Sequence, residues 1–93
     1  MLTSTKCQGG DSLFINKSTN GENNICGRKV AEYRKLLKKS QRQLADALQL
    51  LGLDVDKNAV QRIEAGKRFV TDIEIVYLSR ALRVSVGELL GVE

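Results

Sequence analysis

Apolar residues along this chain recur at helical spacing, and no stretch shows the period-two alternation of a strand. Near the middle of the chain, Leu44, Leu48 and Leu51 follow one another at steps of three and four residues, so they lie on one face of a predicted helix. That helix begins with an S-x-x-Q capping box, in which Ser40 is the N-cap and Gln43 the third helical residue. The whole pattern predicts an all-α fold.

A second helix follows after a connector and is predicted over residues 57–65. Asp56 is a suitable N-cap for it. Val60 and Ile63 form its apolar side, and Gly66 is expected as the left-handed residue that ends it. The two helices and their turn, at about residues 40–65, predict a helix-turn-helix unit.

The other side of this second helix is polar. Its four side chains all carry hydrogen-bonding groups: Lys57, Asn58, Gln61 and Arg62. In the major groove of DNA, Arg and Lys pair well with guanine, and Asn and Gln pair well with adenine. A helix-turn-helix scaffold can also serve as a pure protein-interaction module, but such a module does not need four base-reading side chains.

A first helix is predicted upstream, from Ile25 to about Lys39, with Asn24 as its cap. Its apolar stripe steps by four, three and four residues and consists of Cys26, Val30, Tyr33 and Leu37. This spacing predicts that Cys26 is a buried, small apolar residue.

Two further capping boxes start two more helices near the C-terminal end. Thr71 with Glu74 precedes a fourth helix, and Ser85 with Glu88 precedes a short fifth helix. Phe69, before the fourth helix, is expected to be a core or staple residue rather than a base-stacking one. Five helices of this size can share one core, to which apolar spacing assigns Val30, Tyr33, Leu37, Leu44, Leu48, Val60, Ile63, Ile75, Leu78, Leu82, Val84 and Leu89.

Residues 1–23 differ in composition from the rest of the chain. They are rich in Gly, Ser, Thr, Asn and Lys and contain one short apolar patch, Leu13-Phe14-Ile15. Because this composition buries too little apolar surface to offset the entropy of ordering, we expect a flexible arm, followed by a domain over residues 24–93. Insertion into a DNA groove and binding of a partner through the apolar patch are the competing roles. The arm is neutral, whereas arms that enter the minor groove are basic, which favours simple disorder.

Charge and cysteine usage narrow the classes of function. The net charge is +4, and seven basic residues lie between Arg28 and Arg42 against one acid, Glu32, so a polyanion partner is indicated. The chain has no histidine and only two cysteines, Cys7 and Cys26, which excludes His-based catalysis and makes a structural zinc site unfavourable. We therefore expect no enzyme, no metal and no cofactor. With no signal peptide or membrane span in the sequence, we expect a cytoplasmic protein with reduced thiols.

From Asn24 to about Gly91 the order and spacing of these residues resemble the lambda-repressor-like (Cro/repressor-type) helix-turn-helix family of bacterial and phage DNA-binding regulators. The residues that carry the resemblance are Gln41, Leu44-Ala45, Val60, Arg62-Ile63-Glu64 and Gly66-Lys67-Arg68, followed by Ile75-Val76, Leu78, Ala81-Leu82, Val84-Ser85 and Leu89-Leu90. The resemblance implies a compact five-helix DNA-binding domain in which the helix at 57–65 enters the major groove.

The resemblance also implies roles for individual residues. Base contacts are implied for Lys57, Asn58 and Arg62, beside Gln61. Phosphate contacts are expected from Gln41, Arg28, Lys67 and Arg68. Arg34 and Glu64 are implied to form a partly buried ion pair that braces the recognition helix against the first helix.

The sequence departs from the family pattern in the turn between the two helices. From Leu44 to Glu64 it is longer than the common form, and the glycine expected soon after Ala45 comes only at Gly52. A longer second helix and a wider turn accommodate the difference, because lengthening a loop costs little free energy.

These observations predict a transcriptional regulator, most simply a repressor, that binds a specific double-stranded DNA sequence as a homodimer. The surface of the fourth and fifth helices, including Val86, Leu90 and Val92, is the candidate dimer interface. The alternative is an antitoxin or anti-repressor that mainly holds a protein partner, with DNA binding secondary or absent.

Overall fold

The computed structural model describes residues 21–92, which fold into five helices. They are α1 (Gly27–Leu36), α2 (Gln41–Leu51), α3 (Lys57–Glu64), α4 (Asp72–Leu82) and α5 (Val86–Leu90). No strand occurs within these residues, and the all-α prediction is confirmed. Residues 1–20, with the Leu13-Phe14-Ile15 patch, lie outside the described residues, so the flexible arm and its boundary stay predictions. Among the described helices, none combines the length and apolar content that crossing a bilayer requires.

Side-chain caps start four of the helices where the sequence predicts them. Complete capping boxes form at Ser40 with Gln43, at Thr71 with Glu74 and at Ser85 with Glu88. At the start of α3, Asp56 Oδ1 accepts a hydrogen bond of 2.8 Å from the Ala59 amide. Each cap satisfies an amide that would otherwise lack a partner in the first helical turn.

The first helix is shorter than predicted at both ends. Its N-cap position is Cys26, which makes no side-chain cap hydrogen bond. Asn24, the predicted cap, lies two residues earlier, and its Oδ1 accepts a hydrogen bond of 2.8 Å from the Gly27 amide, the first of the helix. At the other end Lys38 adopts a left-handed conformation with φ of 59°, and the Lys39 amide donates to the Arg34 carbonyl at 3.1 Å. This closure ends the helix before Lys39. It leaves Leu37 exposed, so its assignment to the core was wrong.

The remaining predicted core residues pack into one cluster between the helices. Tyr33 and Val84 are partly buried at its edge, and the others are buried. Cys26 joins them, as its place in the stripe predicts, and so do the small residues Ala45 and Ala81. Phe69 is not one of the core residues, since more than half of its surface is exposed; of its two expected roles, the core role is wrong.

The long turn between α2 and α3 is anchored to the core through Val55. Gly52 ends α2 with φ of 109°, a conformation that favours glycine. Val55 then enters the core with only 4% of its surface exposed, and Gln49 Nε2 donates to the Val55 carbonyl at 2.7 Å. This anchor fixes the start of α3 despite the length of the turn. In the rest of the domain α3 packs against α1 and α2, while α4 packs against α1, α2 and α5.

Candidate nucleic-acid interface

The outward face of α3 is a continuous polar surface. Its four exposed side chains are the predicted base readers, Lys57, Asn58, Gln61 and Arg62. At 100° per residue, their positions fall within one side of the helix. The opposite side carries Val60 and Ile63, both completely buried. The packing of α3 against the core therefore orients all four polar side chains toward solvent.

A partly buried ion pair holds the end of α3. Arg34 Nε and Nη2 donate to the two carboxylate oxygens of Glu64 at 2.6 and 3.0 Å. Gln41 Nε2 donates to the same carboxylate at 3.0 Å, and Arg34 Nη1 donates to the Lys39 carbonyl at 2.8 Å. The hydrogen bond to Glu64 raises the pKa of Arg34 above its ordinary value, although burial acts in the opposite direction. One network thus joins α1, α2 and α3 beside the polar face.

Gln41 has a partner inside the protein. It was expected to contact a phosphate, and its side-chain amide instead donates one hydrogen bond to Glu64. A primary amide has two donor hydrogens, so the second can still reach a phosphate. The phosphate contact of Gln41 remains a prediction.

The other expected phosphate contacts differ in their surroundings. Arg28 and Lys67 are exposed. Arg68 instead forms a bidentate ion pair with Glu74, with Nη1–Oε1 and Nη2–Oε2 distances of 3.0 and 2.9 Å. Burial alone would raise the pKa of Glu74, but hydrogen bonds from Arg68 and Thr71 together lower it below the ordinary value. The charge of Arg68 is therefore largely compensated within the domain, whereas those of Arg28 and Lys67 face solvent.

The sequence reasoning missed one part of this region. Residues Asn23 and Asn24 were assigned to the end of the arm and to the cap of the first helix. In the structure both also donate hydrogen bonds to carbonyl groups at the C-terminal end of α3 and just beyond it. The sequence carried one relevant signal, the preference of asparagine for helix caps. That preference does not predict that the same side chain also binds a second helix.

Comparison with known proteins agrees with this geometry. A family model described as helix-turn-helix matches residues 30–89, which contain α2, α3 and the turn between them. The chain belongs to this Cro/repressor-type helix-turn-helix family. As a member of the family it is a DNA-binding transcription regulator, which implies a non-enzymatic protein.

One solved structure of this helix-turn-helix family is similar over most of the domain. It is the restriction-modification controller protein C.AhdI from Aeromonas hydrophila, with 29% sequence identity and a TM-score of 0.61. The match covers 70% of this chain and 91% of the controller protein. No protein with a curated functional description matches the sequence.

Proposed function

We propose that this protein binds one specific double-stranded DNA sequence with α3 in the major groove and represses transcription there. The observation that carries the proposal is the outward face of α3. Lys57, Asn58, Gln61 and Arg62 are exposed side by side on a helix whose other side is buried and whose end is held by the Arg34–Glu64 ion pair. A rigid support for base-reading side chains is what sequence discrimination requires, because each good bidentate base contact contributes about 1–3 kcal/mol.

Phosphate contacts supply the sequence-independent part of the binding energy. Arg28 and Lys67 are the strongest candidates, since both are exposed. Gln41 is a neutral contact at the start of α2, where helix amides favour an anion. Arg68 contributes less in this proposal, because its guanidinium is already paired with Glu74.

A homodimer is part of the proposal, because one domain reads only one half-site and two half-sites lie about 34 Å apart. The expected interface around Val86 and Leu90 is half-buried against the protein's own core, whereas Val92 is exposed. The outward side of α4 is a better surface, since Ile73 and Val76 expose 65% and 39% of their area there.

The charges on α4 are self-complementary. Asp72 precedes Val76 by four residues and Arg80 follows it by four. If two copies of α4 pack antiparallel with Val76 at the centre, Asp72 of each copy faces Arg80 of the other. Sedimentation equilibrium tests this arrangement: the wild-type chain is expected to be a dimer and Val76→Glu a monomer that is still folded. A wild-type chain that is monomeric both alone and on DNA contradicts it.

The biological process we propose is the control of restriction-modification genes. The support is the similarity to the controller protein C.AhdI, which has 29% sequence identity over 70% of this chain. Repression of a reporter gene placed behind the selected operator tests the sign of regulation. An increase in reporter expression would contradict repression without contradicting DNA binding.

Selection from a random duplex library tests the DNA-binding proposal directly. The expected result is a palindromic consensus whose binding weakens on Arg62→Ala. Arg83→Asn is the matched control: Arg83 is an exposed arginine at the end of α4 with φ of 60°, a conformation that asparagine tolerates. Binding without sequence preference would contradict the proposal and favour the antitoxin or anti-repressor alternative, in which a protein partner is the main target.

A further inference from the structure

The segment that precedes α1 covers the C-terminal end of α3. The Asn23 amide donates to the Gly66 carbonyl at 2.8 Å, and Asn23 Nδ2 donates to the Lys67 carbonyl at 2.9 Å. Asn24 Nδ2 donates to the Ile63 carbonyl at 3.1 Å and to the Arg68 carbonyl at 2.8 Å. We call Asn23 and Asn24, with these four hydrogen bonds, the asparagine clamp.

The packing around the clamp is too close for larger residues. A Cβ atom on Gly27 would overlap the Ile63 carbonyl oxygen and would lie 2.9 Å from Asn24 Oδ1. The first turn of α1 therefore approaches the last turn of α3 backbone to backbone. This contact brings the positive end of the α1 dipole to the negative end of the α3 dipole, which is favourable.

The length of α3 makes this end important. The helix has only eight residues, so a displacement at its C-terminal end is transmitted to every base-reading side chain. Gln61 and Arg62 lie in its last turn. With a helix radius of about 5–6 Å including side chains, a rotation of 10° moves a side-chain tip by about 1 Å. A bidentate base contact does not tolerate such a shift, because hydrogen bonds require heavy-atom distances of about 2.7–3.2 Å.

We propose that Asn23 and Asn24 are positioning residues for sequence reading: they hold the last turn of α3 in the orientation that places Gln61 and Arg62 against bases. The inference rests on the proposed function of α3. Its consequence is selective. Loss of the clamp lowers the discrimination between the operator and other DNA, while the sequence-independent attraction of the exposed basic residues remains.

A purely structural role of Asn24 at the start of α1 can be separated from this one. Asn24→Asp keeps the oxygen that accepts from the Gly27 amide, and a carboxylate is itself a good cap. It removes the donor to the Ile63 and Arg68 carbonyls and places a negative oxygen beside theirs. The bond to the Gly27 amide is therefore retained, and the two clamp bonds that Asn24 donates are lost. Asn23→Ala is a milder second variant, because the backbone bond from residue 23 to Gly66 remains.

Ser85→Ala is the matched control. Ser85 Oγ accepts from the Glu88 amide at 3.0 Å and caps α5, so its removal weakens the domain away from α3. All four proteins, wild type included, are prepared as the full chain, and circular dichroism shows that each is folded at the assay temperature. The quantity measured is the ratio of the dissociation constants for a one-base-changed operator and for the selected operator. A ratio is needed because the new carboxylate weakens all DNA binding.

We expect this ratio to fall about fivefold in Asn24→Asp, close to the smallest penalty that a one-base change usually gives, and about twofold in Asn23→Ala, and to stay at the wild-type value in Ser85→Ala. Hydrogen exchange without DNA is an independent measurement. After correction for each variant's global free energy of unfolding, the amides from Val60 to Glu64 are expected to exchange faster in Asn24→Asp than in Ser85→Ala. A folded Asn24→Asp protein with the wild-type ratio and unchanged exchange overturns the inference alone. A wild-type protein without sequence preference overturns the proposed function, and the inference with it.

Discussion

Removal of the Glu64 carboxylate tests whether α3 depends on its partly buried ion pair with Arg34. Glu64 accepts hydrogen bonds from Arg34 at 2.6 and 3.0 Å and from Gln41 at 3.0 Å. The Arg34 and Glu64 side chains are only 12% and 8% exposed. In Glu64→Ala, Arg34 keeps its bond to the Lys39 carbonyl and loses its counter-charge. Breaking a fully buried pair by removing one partner costs about 3–5 kcal/mol, so we expect a cost near the lower end of this range for this partly buried pair.

A surface pair in the same domain is the control. Lys29 and Glu32 approach to 3.9 Å with side chains 45% and 64% exposed, and pairs of this kind contribute about 0.2–1 kcal/mol. Urea unfolding followed by circular dichroism gives both free energies. Because small domains are stable by only about 5–15 kcal/mol in total, Glu64→Ala is expected to lower the midpoint strongly, whereas Glu32→Ala leaves it nearly unchanged.

The double variant Arg34→Met/Glu64→Leu separates the ion pair from the space that it fills. Replacing a buried pair by apolar side chains of similar volume is often neutral or stabilising, so we expect the double variant to be more stable than Glu64→Ala. A loss of stability in Glu64→Ala no larger than that of Glu32→Ala would refute the argument. It would mean that water stabilises the charge of Arg34 although most of its side chain is shielded from solvent.

Three further predictions concern charge and titration. In salt titrations of DNA binding, Lys67→Ala is expected to reduce the slope of log K against log salt by about 0.9, whereas Arg68→Ala reduces it less because Glu74 already pairs with Arg68; equal reductions would contradict the assignment. Since the pKa of Glu74 is lowered in the folded state, its contribution to stability is present above the ordinary value of 4.5 and is lost as the pH falls below it. Glu74→Gln should therefore lose less stability in acid than the wild type does. An acid-unfolding profile identical to that of the wild type would contradict this. Burial raises the pKa of Cys26 to about 11 from 9.0, so the domain should lose stability as the pH rises from 9.0 toward 11. In a Cys7→Ser background, the Cys26 thiol should react with a disulfide reagent at least tenfold faster in urea than in water. An equally fast reaction in the native state would show that Cys26 is accessible.

The helices and most of the core could be predicted from the sequence because their causes are local. A capping box needs only Ser or Thr and a glutamate or glutamine three residues later, as at Ser40 and Thr71. The apolar stripe of an amphipathic helix packs against the core of the domain. This requirement alone buries Val60 and Ile63 and leaves Lys57 exposed to solvent. The resemblance to the helix-turn-helix family rested on the order and spacing of particular residues along the chain.

The tertiary structure decided which groups meet across elements. Arg68 is as basic as Lys67 in the sequence, but only the approach of Glu74 compensates its charge. Val55 lies in a turn and is buried, whereas Leu37 continues an apolar stripe and is exposed once Lys38 turns left-handed. Sequence spacing predicts contacts within a helix, between residues three or four positions apart, because the geometry of an α-helix is fixed.

The asparagine clamp shows the limit of such reasoning. Asn24 binds the start of its own helix through an atom three residues away in sequence, and it binds the end of another helix through atoms 39 and 44 residues away. The first contact follows from a local rule, and the sequence determined it. The second exists only because the α1 and α3 backbones approach each other at Gly27, and the distance between two helices is set by the packing of the whole core.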